Sequence, residues 1–234
     1  MTPLLSGQAD LPSTAVVLMT KVPAAGKVKT RLIGDLTGEQ AAQVHKAMLV
    51  CMLDRIAQHV GEVGRIQKVL AIDNSSGIKL DLPAAYTWQI VEQGNGSLGE
   101  RMLRVWRSIG GGQAFFFGAD SPDVPAGILG SIISVLERAD AAIGPVTDGG
   151  YWVLGAERII PDLLGGIDWG TARVYHQTHE AARRAGIRLV DLPTWFDVDT
   201  ADDLADLRQR LAKEDEPALQ RLGGRIDQVI GASR

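Results

Sequence analysis

QAFFFG (residues 113–118) runs without a break into ADSPDVP (119–125). The first half is apolar on both of its alternating faces, the pattern of a strand in the buried centre of a mostly parallel sheet. The second half sets a carboxylate, Asp120, at the carboxyl end of that strand, on a loop stiffened by Pro122 and Pro125. In open α/β sheets, ligands bind beyond such ends. This junction therefore predicts the architecture, and also the side of the sheet on which to look for chemistry.

Strands and helices alternate on either side of it. Predicted strands cover 15–20, 65–73, 86–91, 141–146, 151–156 and 187–192. The fourth and fifth are joined by Thr147, Asp148, Gly149 and Gly150, a hairpin signal. Thr37 and Gln40 form a capping box ahead of Val44, Met48, Cys51, Met52 and Ile56 at helical spacing. Residues 98–109, 125–139 and 171–186 read as further helices, the last closed by Gly186. Thr200 and Asp203 cap another, with Leu204, Leu207 and Leu211 as its stripe. The alternation predicts one doubly wound α/β domain over residues 14–211. Residues 1–13 lack periodicity and read as a flexible arm, and 212–234 as a polar tail or short helix.

The chain has 234 residues and a net charge of −4, which argues against nucleic acid or an anionic membrane surface as the main partner. A single cysteine, Cys51, leaves no internal disulfide and no multi-cysteine metal site. No apolar run approaches the roughly 20 residues of a membrane span, and the start lacks a signal-peptide pattern, so a cytoplasmic location is expected.

Against that acidic background, KVPAAGKVKTRL (21–32) concentrates Lys21, Lys27, Lys29 and Arg31 directly after the first strand. Gly26 lets backbone approach a ligand, and the cations suit phosphate oxygens. The string is not a P-loop, because Val28 follows Lys27 where Ser or Thr is required. A hard cation such as Mg²⁺ takes one or two carboxylates plus substrate phosphates, the role expected of Asp120. In WFDVDTADDL (195–204), Asp197 and Asp199 are left free by the Thr200 cap. They point the same way if the segment is extended, so either can serve the same ion. Asp148 sits on the hairpin turn, where function tends to be grafted. Tyr151 and Trp152 could wall a sugar-sized pocket, with one of the two expected in the core. GNGSLG (94–99) offers a rival reading as a dinucleotide fingerprint, which would leave the basic loop unexplained. His176 and His179 read as a solvated helix face.

KVPAAGKVKTRL, EQGNGSLGERM, GADSPDVP, GPVTDGGYWVLG, DWGT and DVDTADDL together resemble the bacterial glycosyltransferase-like branch of the nucleotide-diphospho-sugar transferases, from about residue 14 to 208. That branch has the GT-A fold and is linked to modified-sugar pathways such as arsenosugar synthesis. The resemblance implies that Lys21, Lys27, Lys29 and Arg31 face phosphates around Gly26. It implies that Gln93, Gly96 and Gly99 border the nucleobase and ribose. Asp120 matches the metal acid, Asp199 resembles a second one, and Asp148 would lie on the acceptor side. One departure is that the family's common D-x-D at the metal position is Asp120-Ser121-Pro122 here, closer to enzymes that synthesise sugar nucleotides.

The expected activity is an Mg²⁺- or Mn²⁺-dependent glycosyltransferase using a nucleoside-diphospho-sugar and a small-molecule acceptor. In it, Lys29 and the metal neutralise the leaving diphosphate and Asp148 orients or deprotonates the acceptor hydroxyl. The alternative is a nucleotidyltransferase joining an NTP to a sugar phosphate or similar molecule with release of pyrophosphate. A non-catalytic nucleotide-binding protein and a dinucleotide-dependent oxidoreductase also stay open, as does the oligomeric state.

Overall fold

A computed structural model describes residues 14–60, 66–83 and 86–231, so the expected arm at 1–13 lies outside the described residues. In chain order the strands are β1 (Thr14–Lys21), β2 (Ile66–Asp73), β3 (Gln89–Glu92), β4 (Ala114–Gly118), β5 (Ala141–Pro145), β6 (Tyr151–Ala156) and β7 (Leu189–Asp191). They form one sheet in the order β3-β2-β1-β4-β6-β5-β7. All pairs are parallel except those of β6, which runs against both β4 and β5. The sheet is the mostly parallel one expected, reversed at a single hairpin strand.

The helices are α1 (Gly38–His59), α2 (Leu98–Ser108), α3 (Ala126–Ser131), α4 (Val174–Ala185), α5 (Ala201–Leu211) and α6 (Pro217–Gly231). Burial on both sheet faces follows from the pleat. Val16, Leu18, Phe115 and Phe117 pack in one cluster with Leu49, Met52 and Ile56 of α1, whereas Ala15, Val17 and Phe116 pack on the other face with Met102, Val105 and Trp106 of α2. Beyond α1 lies a third cluster, where Val44, Met48 and Cys51 meet Leu204, Leu207 and Leu211 of α5 and Leu219, Leu222 and Ile226 of α6. The α1 stripe thus divides between two layers. Residues 217–231 form a packed helix in which Ala218, Leu219, Leu222, Ile226 and Val229 are buried.

Four elements fall short of expectation by two residues or more, among them β7, which spans only Leu189–Asp191 against the expected 187–192. The third strand pairs only over Gln89–Glu92, and α4 begins at Val174 after a turn in which Thr171 Oγ1 donates to Asp168 O. The helix expected over 125–139 stops at Ser131 and continues as a 3-10 turn, Ile133–Glu137. There Ser131 Oγ donates back to Gly127 O and Ser134 Oγ to Ser131 O, competing with the helical ladder. The capping boxes at Thr37 and Thr200 form as expected, and the structure adds a third between Ser97 and Glu100.

Candidate functional site

The carboxyl ends of β1 and β4 and the segment before α5 converge on a cleft of about 520 Å³. Five cationic side chains line it (Lys21, Lys27, Lys29, Arg31 and Arg101) against two carboxylates, Asp120 and Asp199. In a chain of net charge −4, that local excess of three positive charges gives the cleft a field that attracts anions.

The basic loop is shaped by its buried residues. Val22 and Ala24 leave β1 inside the core, and Lys27 N–H donates to Ala24 O across a turn whose Gly26 has φ 70°. Val28 and Leu32 are then buried in turn, so the cations between them face the cleft. Lys29 takes φ 46°, the one positive value among described residues other than glycine. Its side chain is only 4% exposed, and Nζ lies 2.6 Å from Asp120 Oδ1 and 3.0 Å from Asp199 Oδ1. Arg31 Nη1 stands 3.6 Å from Asp199 Oδ2.

Burial opposes the charge on Lys29, but Asp120 and Asp199 outweigh it and hold the ammonium above the usual lysine range. Burial likewise opposes ionised Asp120, and Lys29 reverses the balance, so its pKa lies below the usual carboxylate value. Asp120 Oδ1 is buried, yet 46% of the side chain remains exposed, which leaves the rest of the carboxylate open to the cleft.

Each acid is held by its own anchors. Val198, fully buried, donates its N–H to Asp120 O at 3.0 Å, and its flanks Asp197 and Asp199 project together. Asp199 N–H donates to the capping residue Asp203. Behind Asp120, Arg55 Nη1 donates to Pro122 O at 2.7 Å while Nε and Nη2 grip Glu216 at the start of α6. Asp123 accepts from Trp195 Nε1 and pairs with Arg210, so it is a structural acid. Asp148 sits exposed on the hairpin turn, its Oδ1 accepting from Gly150 N–H.

Asp148, Asp197 and Asp199 each offer a carboxylate oxygen within 4.8 Å of the others. Burial first, then Asp148 and Asp199, push the Asp197 carboxyl up to about 6. Three acids crowded in this way are all hard oxygen donors and fit Mg²⁺ or Mn²⁺, although Lys29 and Arg31 already share Asp199. Asp199 would be common to this group and to the Asp120–Lys29 pair.

The structure brings Lys21, Lys27, Lys29, Arg31, Gln93, Asp120 and Asp199 into one cleft, with Asp148 and Asp197 joined to it through Asp199. Gln93 is buried, and its amide is already spent: Nε2 donates to Thr20 O and Ala71 O, and Oε1 accepts from Arg101. Gly26, Gly96 and Gly99 are not among the cleft's lining residues. Gly99 answers instead to packing, since a Cβ there would stand 2.2 Å from Leu164 O. Tyr151 lines the cleft and Trp152 is core. Cys51 is buried, its thiol pushed up to about 12. His176 and His179 lie on a helix surface beside Glu180 and Asp191.

Sequence reading missed Arg101 and His45. Arg101 Nη1 donates to Asp73 and to Gln93; its position three residues into α2, whose N-terminus faces the strand ends, was the available signal. His45 Nε2 lies 3.1 Å from Lys21 O, which can only accept, so Nε2 carries the proton and Nδ1 is left as a bare acceptor. Two buried polar atoms without a hydrogen-bond partner line this cleft, His45 Nδ1 and Arg101 Nε, whereas Asp120 Oδ1 has only the Lys29 ammonium. Such atoms are costly unless a ligand or water completes them.

A family model described as "Uncharacterized protein conserved in bacteria (DUF2064)" matches residues 52–171. Among curated proteins none matches the chain. A crystal structure from Desulfovibrio desulfuricans, provisionally described as a nucleotide-diphospho-sugar transferase, is 29% identical. It superposes with a TM-score of 0.76 over 95% of this chain and 98% of its own. Two further structures share the fold at lower identity. CMP:2-keto-3-deoxy-manno-octonic acid synthetase complexed with CTP is 11% identical (86% and 99% covered, TM-score 0.57). A cytidylyltransferase from Leptospira borgpetersenii is 12% identical (94% and 97% covered, TM-score 0.57).

Proposed function

From a chain that belongs to the bacterial family DUF2064 and has the nucleotide-diphospho-sugar transferase fold, we propose a divalent-cation-dependent glycosyltransferase that uses a nucleoside-diphospho-sugar. The observation that carries the reading is the meeting of the basic loop and the acids: Lys29 Nζ touches both Asp120 and Asp199 at the floor of a cleft rimmed by Lys21, Lys27, Arg31 and Arg101. The resemblance to a provisionally described nucleotide-diphospho-sugar transferase supports the donor class.

In this reading the ammonium and guanidinium groups grip the diphosphate and offset the charge that grows on it as it leaves. Asp120 and Asp199, with Asp197, would hold Mg²⁺ or Mn²⁺, which when bound would supply Lewis-acid stabilisation of the leaving group. Asp148 projects from the hairpin turn on the acceptor side, where it orients or deprotonates the attacking hydroxyl.

A second reading is favoured by the single acid in Asp120-Ser121-Pro122 and by the five cations, which suit a triphosphate: nucleotidyl transfer from an NTP to a sugar phosphate. One panel separates the two. The protein with Mg²⁺ is incubated with nucleotide sugars plus acceptors, and separately with NTPs plus sugar phosphates. Nucleoside diphosphate release supports glycosyl transfer and pyrophosphate release supports nucleotidyl transfer. Tight binding with neither product sinks both in favour of a binding protein.

A further inference from the structure

We propose that the Lys29 ammonium is a resident cation, which holds Asp120 and Asp199 in the free protein and is exchanged for a divalent ion when the site loads. The inference rests on the transferase reading above and adds to it a coupling between metal uptake and polyphosphate binding.

Three observations carry it. Both carboxylates direct Oδ1 at the same Nζ, at 2.6 and 3.0 Å, so the ammonium fills the position between them. The side chain is 4% exposed and its backbone is held at φ 46° between the buried Val28 and Leu32, so this is an ordered placement, unlike that of a surface lysine. Asp199 is also one of the three acids whose oxygens lie within 4.8 Å of one another, and Arg31 approaches its second oxygen at 3.6 Å.

An ion entering beside Asp197 and Asp199 therefore meets, at Asp199, a carboxylate already shared by two positive side chains. Like charges at such range repel strongly in a partly buried site, so ion and ammonium oppose each other on Asp199. The lysine is the mobile member, with four rotatable methylenes and an anion-seeking cleft beside it. A polyphosphate in that cleft draws the ammonium off the acids and opens them to the metal. By the reciprocity of linkage, metal on the acids frees the ammonium for the phosphates.

The test is a Mn²⁺ titration, followed by paramagnetic resonance without nucleotide, of the wild-type protein and Lys29→Met. The exchange predicts about tenfold or tighter Mn²⁺ binding by the variant, an ordinary size for site-to-site coupling. Equal or weaker binding by the variant, with uptake abolished by Asp199→Asn, overturns the exchange and leaves the transferase reading standing. No Mn²⁺ uptake by either protein overturns the exchange, and the transferase reading falls with it only if uptake also fails in the presence of pyrophosphate. A wild-type measurement guards against a misfolded variant: acylation of Lys29, read by mass spectrometry, should rise when Mn²⁺ is added. Unchanged labelling at saturating Mn²⁺ overturns the proposal.

Discussion

The backbone N–H of Val198 donates to the carbonyl oxygen of Asp120 at 3.0 Å, joining the loop after β4 to the loop before α5. Val198 is fully buried, so its side chain fixes the depth of both neighbouring acids. Val198→Ala should cost about 2 kcal/mol in urea unfolding, from lost burial and the cavity left behind. It should also weaken Mn²⁺ binding, because Asp197 and Asp199 lose their shared anchor. Full stability with normal metal affinity would remove Val198 from this role.

Glu216 receives two bonds from Arg55, whose third goes to Pro122 O. Arg55 is 1% exposed, so removing its counter-charge strands a buried guanidinium. Glu216→Gln is expected to lower stability by about 3 kcal/mol, as for other broken buried pairs. Chemical denaturation at neutral pH measures it.

Two glycines that the sequence suggested for the site, but that do not line the cleft, separate packing from conformation. Gly99→Ala drives a Cβ into Leu164 O and should cost about 3 kcal/mol, the upper end for overpacking. Gly26→Ala meets nothing within 4 Å and strains only a φ of 70°, for about 1 kcal/mol. Thermal unfolding of the two variants should preserve that order.

Asp197 titrates near 6 in the folded protein against about 4 when unfolded. The native state therefore holds its proton more tightly, and this group's contribution to stability falls as pH rises from about 4 to 6, then stays level. In metal-free buffer Asp197→Asn should match wild type near pH 4 and exceed it above pH 6. Melting curves across that range check the sign. A variant less stable than wild type at pH 8 would contradict it.

Arg31 is largely exposed and its contact with Asp199 is long. Arg31→Ala should leave stability within about 0.5 kcal/mol, since surface pairs contribute little. Pyrophosphate affinity, measured by calorimetry, should fall about tenfold or more through loss of one charge-assisted contact.

Much of the fold could be read because the deciding signals are local. Phe115, Phe116 and Phe117 are buried on alternate faces, and the Thr37 and Thr200 boxes close within four residues. What periodicity lacks is the identity of the covering layer. It marked Val44, Met48, Met52 and Ile56 as one stripe, whereas the first two meet α5 and α6 and the last two meet the sheet. The site divides similarly. Acids and cations at strand ends announced Asp120, Asp199, Lys29 and Arg31. Bonds that join distant segments left no trace, among them His45 to Lys21 O and the Gln93 amide to Thr20 O and Ala71 O. The placement of Lys29 between two carboxylates belongs to that second kind.

The clamp on Pro122 has a consequence for biosynthesis. A ribosome delivers Arg55 and the β4 loop before Glu216, so until Glu216 emerges the guanidinium lacks the carboxylate that locks it. The turn after Asp120 can therefore be held by Val198, Trp195 and Arg210 before the Arg55–Glu216 clamp is complete.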